Sequence, residues 1–147
     1  MNENAHSQTS ILIVDDVPSA RAVLKDMLTE LGFTRVIEAS DGRDATAILA
    51  REPVNLVLCD QVMPDMSGKE LLLHIRRNLR NEELPVIFVS ALGAVSDVEE
   101  VLDLQATDYL VKPISIRKLR RKLEDALHPS NERIVIAADK VGTLSHL

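Results

Sequence analysis

Five residues that can carry or bind charge stand where apolar runs of this sequence end. They are Asp15, Asp16, Asp60, Ser90 and Lys112. An aspartate can act as a nucleophile toward phosphorus and form an aspartyl phosphate. A lysine and a divalent cation can neutralise charge on a phosphoryl group during its transfer. Asp60 is the candidate nucleophile, because a strand that ends on it would hold its carboxylate rigidly.

Three carboxylates held close together repel one another. Two unit charges ~4 Å apart cost about 4 kcal/mol at an effective dielectric of ~20, so a cation should offset them. Lys112 is one candidate, and a hard divalent cation with oxygen ligands, such as Mg2+, is another. Taken singly, Asp15 and Asp16 could cap a helix, and Asp60 could begin a turn. Their placement after successive apolar runs favours a function.

The apolar runs alternate with segments of helical spacing. Runs typical of strands cover residues 11–14, 36–39, 56–59, 85–90 and 108–111, and helical patterns cover residues 18–31, 42–49, 69–77, 95–102 and 116–127. This alternation predicts an α/β fold with a five-stranded parallel sheet and helices on both faces. Ligands bind such sheets beyond the carboxyl ends of the strands, so the five charge-handling residues should share one edge.

Composition limits the class of protein. The chain has 147 residues, 46% of them hydrophobic, which suits one ordinary domain with an aliphatic core. One cysteine allows no internal disulfide and favours the cytoplasm. No apolar stretch approaches the ~20 residues that span a bilayer, so we expect no membrane partner. The net charge of −6 argues against direct nucleic-acid binding.

The pattern as a whole resembles the receiver domain of two-component response regulators. The matching residues are Asp15-Asp16, Asp60 with Met63-Pro64 and Gly68, Ser90-Ala91, and Tyr109 three residues before Lys112-Pro113. The resemblance covers about residues 10–128. The polar start of the chain and the break at Pro129-Ser130-Asn131 make residues 1–9 a flexible N-terminal tail and residues 129–147 a C-terminal tail or linker stub. The resemblance also implies the flavodoxin-like strand order 2-1-3-4-5.

The resemblance assigns the acids to phosphoryl acceptance and metal binding. It implies that Asp60 accepts a phosphoryl group from a histidine kinase or a histidine phosphotransfer protein. It implies Mg2+, or Mn2+ in its place, bound by Asp16, Asp60 and the backbone carbonyl of Val62, with Asp15 acting through water. A receiver of this kind catalyses its own phosphorylation and dephosphorylation and is not otherwise an enzyme.

The resemblance also implies which residues contact the phosphoryl group and which change position after phosphorylation. Lys112 and Ser90 would contact the phosphoryl group, and the Lys112–Pro113 bond would be cis. Ser90 and Tyr109 would form the switch, with Tyr109 turning inward after phosphorylation. Without the resemblance, Ser90 alone would be structural and Tyr109 a half-buried strand residue.

The output surface would comprise the fourth predicted helix, the fifth strand and the fifth helix. The fourth helix is acidic and the fifth is basic, with Arg117, Lys118, Arg120, Arg121 and Lys122. A symmetric homodimer could pair these faces, although solvated faces are an equal explanation. We expect this output surface to bind a downstream protein target as well. The chain is a stand-alone or phosphorelay receiver, or the N-terminal fragment of a larger regulator.

Three positions depart from the family pattern. Val62 and Leu92 stand two residues after Asp60 and Ser90, where side chains flank the path of the attacking water. Both are apolar, so we expect them to hinder water and prolong the phosphorylated state. Gln105 stands where receivers often have glycine, and it either ends the fourth helix differently or holds a positive φ.

Two other protein classes share this type of sheet. Haloacid-dehalogenase-like phosphohydrolases also use an aspartyl nucleophile after a strand, but they carry a second acid where this chain has Val62. Flavin-binding flavodoxin-like modules have a phosphate-binding loop after the first strand, where this chain has Asp15 and Asp16. Both alternatives fit the sequence less well.

Overall fold

Five parallel strands form one sheet in the order β2-β1-β3-β4-β5. The structure is a computed structural model that describes residues 3–91 and 95–128. The strands are β1 Ser10–Val14, β2 Arg35–Ala39, β3 Leu56–Cys59, β4 Val86–Ser90 and β5 Asp108–Val111. The predicted α/β class and the strand order 2-1-3-4-5 are confirmed.

Helices cover both faces of the sheet. They are α1 Glu3–Gln8, α2 Pro18–Glu30, α3 Gly42–Arg51, α4 Gly68–Leu73, α5 Val95–Asp103 and α6 Ile116–Leu127. Alternate residues of each strand point to opposite faces. Leu12 and Val14 of β1 therefore pack with α3, α4 and α5, while Ile11 and Ile13 pack with α2 and α6. Within the described residues, no helix is both long enough and apolar enough to cross a bilayer.

The structure adds one helix that the sequence did not predict. Helix α1 lies within residues 1–9, for which only a tail was predicted. The His6 ring stacks on Phe33, with ring centroids 4.5 Å apart, and His6 Nδ1 lies 2.9 Å from the Leu31 carbonyl oxygen. The predicted C-terminal tail, residues 129–147, lies outside the described residues.

A buried arginine fixes the loops that enter β4 and β5. Helix α4 continues into a π-helical turn, His74–Asn78, which carries Arg76. The Arg76 guanidinium donates hydrogen bonds to the carbonyls of Asn81, Leu84 and Gln105 at 2.7–3.2 Å. Gln105 itself has a φ of 71°, the positive value that was one of the two outcomes expected there.

Gly68 lets the start of α4 approach the end of β3. Its N–H donates to the Gln61 carbonyl at 2.9 Å. A Cβ at this position would meet the Asp60 carbonyl oxygen and would lie 2.5 Å from Phe88 Cε1 and 2.9 Å from Gln61 Cα. Backbone and ring atoms cannot turn aside, so only glycine fits without a shift of the chain.

We expect Gly68→Ala to lower the free energy of unfolding by about 2 kcal/mol, because the added methyl group overpacks a rigid contact. Urea unfolding followed by circular dichroism measures this. Gly42→Ala is the matched control, since the three nearest atoms to its Cβ would all belong to the Met66 side chain, at 2.7 Å, and a methionine side chain can shift. Equal losses in the two variants would contradict the assigned contact.

Candidate functional site

The ends of β1 and β3 bring the three acids together. Val14 and Cys59 are register partners in neighbouring strands, so the residues that follow each strand are adjacent. Oxygens of Asp15, Asp16 and Asp60 all lie within 4.8 Å of one another. The sequence placed these acids at one edge of the sheet, and the structure has them there, close enough for one cation to reach all three.

Lys112 reaches the cluster from the end of β5. Its Nζ lies 3.1 Å from Asp15 Oδ2 and 3.8 Å from Asp60 Oδ2. Its backbone N–H donates to the Ser90 carbonyl at 2.8 Å, which fixes the start of the loop after β5. The Lys112–Pro113 peptide bond is cis. Of the two candidates for offsetting the acids, the lysine is in place in the structure.

Asp15 is the most enclosed of the three acids, with 2% of its side chain exposed. Its Oδ1 accepts a hydrogen bond from the Val17 backbone N–H at 2.9 Å, and its Oδ2 faces Lys112. Helix α2 has Val17 as its N-cap and no side-chain cap. Asp16 therefore does not cap this helix, and the capping explanation does not hold for it.

Asp60 sits in a mixed environment that disfavours its charge. Burial raises the pKa of its carboxyl above the ordinary value of 3.8, and the negative charge of Asp15 adds to this. The Lys112 cation and hydrogen bonds from Ser90 and from the Gln61 backbone N–H act in the opposite direction. The Gln61 bond, to Asp60 Oδ1, is 2.7 Å long. The net effect is a raised pKa, so ionised Asp60 is less stable here than in water.

The remaining predicted residues lie around this cluster. Ser90 is buried at the end of β4. Val62 directly follows Gln61, and 62% of it is exposed at the rim of the site. Tyr109 is fully buried, which corrects the half-buried alternative. Leu92 lies outside the described residues.

Two residues that touch the site were not among those predicted from the sequence. Gln61 is 5% exposed, and its Oε1 accepts a hydrogen bond from the Tyr109 hydroxyl at 2.8 Å. Arg21 Nη1 donates to the Asp15 carbonyl at 2.6 Å. A polar residue directly after the candidate nucleophile was the only sequence signal for Gln61. Arg21 gave no signal, because it lies on the polar face expected of any surface helix.

Comparison with known proteins agrees with this geometry. The family model of the response regulator receiver domain matches residues 11–124. A chemotaxis protein CheY homolog of Campylobacter jejuni is 36% identical over 118 residues, which cover 80% of this chain and 91% of that protein. A probable cyclic di-GMP phosphodiesterase of Vibrio cholerae is 39% identical over 127 residues, or 86% of this chain. The chain spans 28% of the length of that phosphodiesterase.

Solved structures give the same result. Chemotaxis protein CheY4 of Vibrio cholerae superposes with a TM-score of 0.75 at 28% identity, covering 81% of this chain and 98% of that one. The receiver domain of sensor histidine kinase PA1611 from Pseudomonas aeruginosa has a TM-score of 0.72 at 31% identity, covering 81% of this chain and 97% of that one. That structure holds a magnesium ion coordinated in its active site cleft. With its fold, its acid cluster and its relatives in agreement, this chain belongs to the response regulator receiver domain family of two-component systems.

Proposed function

We propose that this chain is a phosphoryl-accepting switch of the cytoplasm in which Asp60 is the acceptor. The donor is a phosphohistidine of a histidine kinase or of a histidine phosphotransfer protein. The observation that carries the proposal is the convergence on Asp60 of two further carboxylates, Lys112 and Ser90. A fold gains no stability from gathering three acids, so their grouping points to a ligand that needs them.

In the proposed reaction an Asp60 carboxylate oxygen attacks the phosphorus of the phosphohistidine. An O–P bond forms as the N–P bond breaks, and the electron pair of that bond leaves with the imidazole nitrogen, which takes a proton from solvent. Asp60 begins this step held at Oδ1 by the Gln61 N–H, so its orientation is set before the donor arrives. Lys112 and Ser90 contact the oxygens of the transferred group and offset their charge.

The acids suit a hard divalent cation. Carboxylate oxygens grouped within 4.8 Å are the donors that Mg2+ prefers, and Mn2+ takes similar ones. We assign Asp16, Asp60 and the backbone carbonyl of Val62 as direct ligands. Asp15 has both oxygens engaged by Val17 and Lys112, which supports a role through water. When bound, the cation supplies positive charge that offsets the phosphoryl oxygens.

The output surface of the proposal comprises α5, β5 and α6, remodelled through Ser90 and Tyr109. Its target is a downstream protein or a second copy of the chain. Some charges on this surface are already paired within the chain. Glu100 of α5 has its Oε1 2.7 Å from the Nζ of Lys69 on α4. Lys122 is buried and lies 2.9 Å from Asp108 Oδ1, so it does not belong to the exposed basic face predicted for α6.

A phosphohydrolase is a weaker proposal for this site. Such an enzyme needs an acid or base near the leaving group, and the residue two positions after Asp60 is the exposed, apolar Val62. We therefore propose that the chain turns over no external phosphate ester. The same apolar side chain suits a switch whose phosphorylated state must persist.

Phosphoramidate tests the acceptor, because its N–P bond resembles that of phosphohistidine. With Mg2+ present, intact-mass measurement should find one added phosphoryl group on the wild type and none on Asp60→Asn. Asp65→Asn is the control, since Asp65 is an exposed acid in the following loop and should leave phosphorylation intact. Addition to Asp60→Asn, or none to a folded wild type with Mg2+, would refute the proposal. Sedimentation of the same samples reports whether phosphorylation pairs two chains.

Val62→Asn should shorten the life of the phosphorylated state, because an amide at the rim can hold the attacking water that valine excludes. The decay of phosphorylated mass after removal of phosphoramidate measures this lifetime. Val23→Asn is the matched control, since Val23 is 53% exposed on α2 and does not line the site. An unchanged lifetime in Val62→Asn would rule out the assigned role.

A further inference from the structure

Arg21 of α2 links the turn that carries the first two acids to strand β2. Its side chain is 16% exposed. Its Nη1 donates to the Asp15 backbone carbonyl at 2.6 Å, which is short enough for a charge-assisted hydrogen bond. Its Nε donates to Glu38 Oε1 at 3.3 Å. The Asp15 N–H donates to the carbonyl of Ala39, the residue after Glu38, at 3.2 Å. Both ends of the Asp15 main chain are therefore tied to β2, one of them directly and the other through Arg21.

The bond from Arg21 fixes one of the two peptide units that flank Asp16. The Asp15 carbonyl belongs to the planar unit that joins Asp15 to Asp16, so its bond to Arg21 sets the tilt of that plane. The following unit is held by the Val17 N–H, which donates to Asp15 Oδ1 at 2.9 Å. With both planes held, the backbone of Asp16 is set, and its carboxylate lies in the acid cluster.

We infer that Arg21 is a positioning residue that holds the Asp15–Asp16 peptide and so keeps Asp16 oriented for a divalent cation. This inference rests on the metal assignment of the proposed function, whereas the hold on the peptide does not. The charge of Arg21 would act in the opposite direction, because a cation near the acids repels a second cation. Loss of Arg21 should therefore weaken metal binding if Arg21 positions Asp16, and should strengthen it if Arg21 contributes only charge.

Lys25 offers a matched control on the same helix. Its Nζ lies 3.6 Å from Glu38 Oε2, so it carries the same charge as Arg21 and pairs with the same carboxylate. Lys25→Met removes this charge and leaves the bond from Arg21 to the Asp15 carbonyl in place. Arg21→Met removes that bond and keeps an apolar stem. Arg21→Lys keeps the charge but lacks the planar fork that reaches Asp15 and Glu38 together.

In metal-free buffer we expect the Val17 N–H to exchange with solvent severalfold faster in Arg21→Met, as followed by nuclear magnetic resonance. Titration of the same samples with Mg2+, followed by amide chemical shifts, should give a Kd about tenfold higher in Arg21→Met. Arg21→Lys should fall between that variant and the wild type. Lys25→Met should exchange like the wild type and bind Mg2+ at least as tightly. Circular dichroism establishes folding, and Arg21→Gln replaces Arg21→Met if the latter does not fold.

Several outcomes would overturn the inference. One is a Kd for Mg2+ in folded Arg21→Met that equals or lies below the wild-type value, and another is unaltered exchange of the Val17 N–H. An equal loss of affinity in Lys25→Met would also overturn it, because the loss would then not depend on the Asp15 carbonyl.

Phosphoramidate labelling of the same variants separates this inference from the proposed function. Weaker Mg2+ binding in Arg21→Met, with no phosphorylation of the wild type, would support the inference and refute the proposed function. Normal phosphorylation of the wild type, with unaltered Mg2+ affinity in Arg21→Met, would refute the inference alone. A wild type that binds no Mg2+ would refute both.

Discussion

Mutual repulsion among Asp15, Asp16 and Asp60 is the constraint on which this structure depends. Strand ends hold their carboxylates within 4.8 Å of one another, and Asp15 is almost closed to solvent. At such distances in a protein the Coulomb cost is several kcal/mol unless cations and hydrogen-bond donors offset it. Lys112, the Val17 N–H and the Gln61 N–H supply that offset. The pKa of Asp60 stays raised chiefly because burial disfavours its charge, and the negative charge of Asp15 adds to this.

The surrounding structure holds this arrangement in place. Gly68 allows α4 to approach the carbonyl of Asp60, so the chain leaves β3 in one direction. Arg76 fixes the loops that enter β4 and β5, the strands that carry Ser90 and Tyr109. Lys122 of α6 forms an ion pair with Asp108, the first residue of β5. These bonds fix the positions of side chains that the proposed phosphoryl transfer would use.

The sequence was sufficient for most of the fold and for the members of the acid cluster. Apolar runs such as residues 11–14 predict buried parallel strands because their pattern depends only on local periodicity. The strand order and the switch roles of Ser90 and Tyr109 came from resemblance to the receiver family, whereas Lys112 was already a candidate cation from its place after an apolar run. Helix α1 was missed because it contacts the rest of the fold through His6 and Phe33, residues far apart in the sequence whose contact no local pattern encodes.

The bonds that position the site could not be predicted for a similar reason. Gln61 and Tyr109 are 48 residues apart, and Arg76 and Gln105 are 29 apart. A single sequence contains no signal for such pairs, since each residue is also common on a solvated surface. Lys122 shows the same limit. Its place in a basic run predicted that it would be exposed, but it is buried and forms an ion pair with Asp108.

The central claim is that the fold places Asp60 where its charge is disfavoured, at a cost to folding, for the sake of the proposed phosphoryl transfer. Because the fold raises its pKa, the folded chain holds the Asp60 proton more tightly than the unfolded chain. The free energy of unfolding therefore falls as pH rises from the unfolded-state pKa through the folded-state pKa. The Asp60→Asn variant has no carboxyl at this position, so its free energy of unfolding does not fall in this way.

The decisive measurement is urea unfolding of the wild type, Asp60→Asn and the exposed control Asp26→Asn in metal-free buffer across pH. We expect Asp60→Asn to be the most stable of the three at neutral pH and to lose this advantage in acid. Added Mg2+ should then stabilise the wild type more than Asp60→Asn. An Asp60→Asn variant less stable than the wild type at neutral pH without metal would contradict the account.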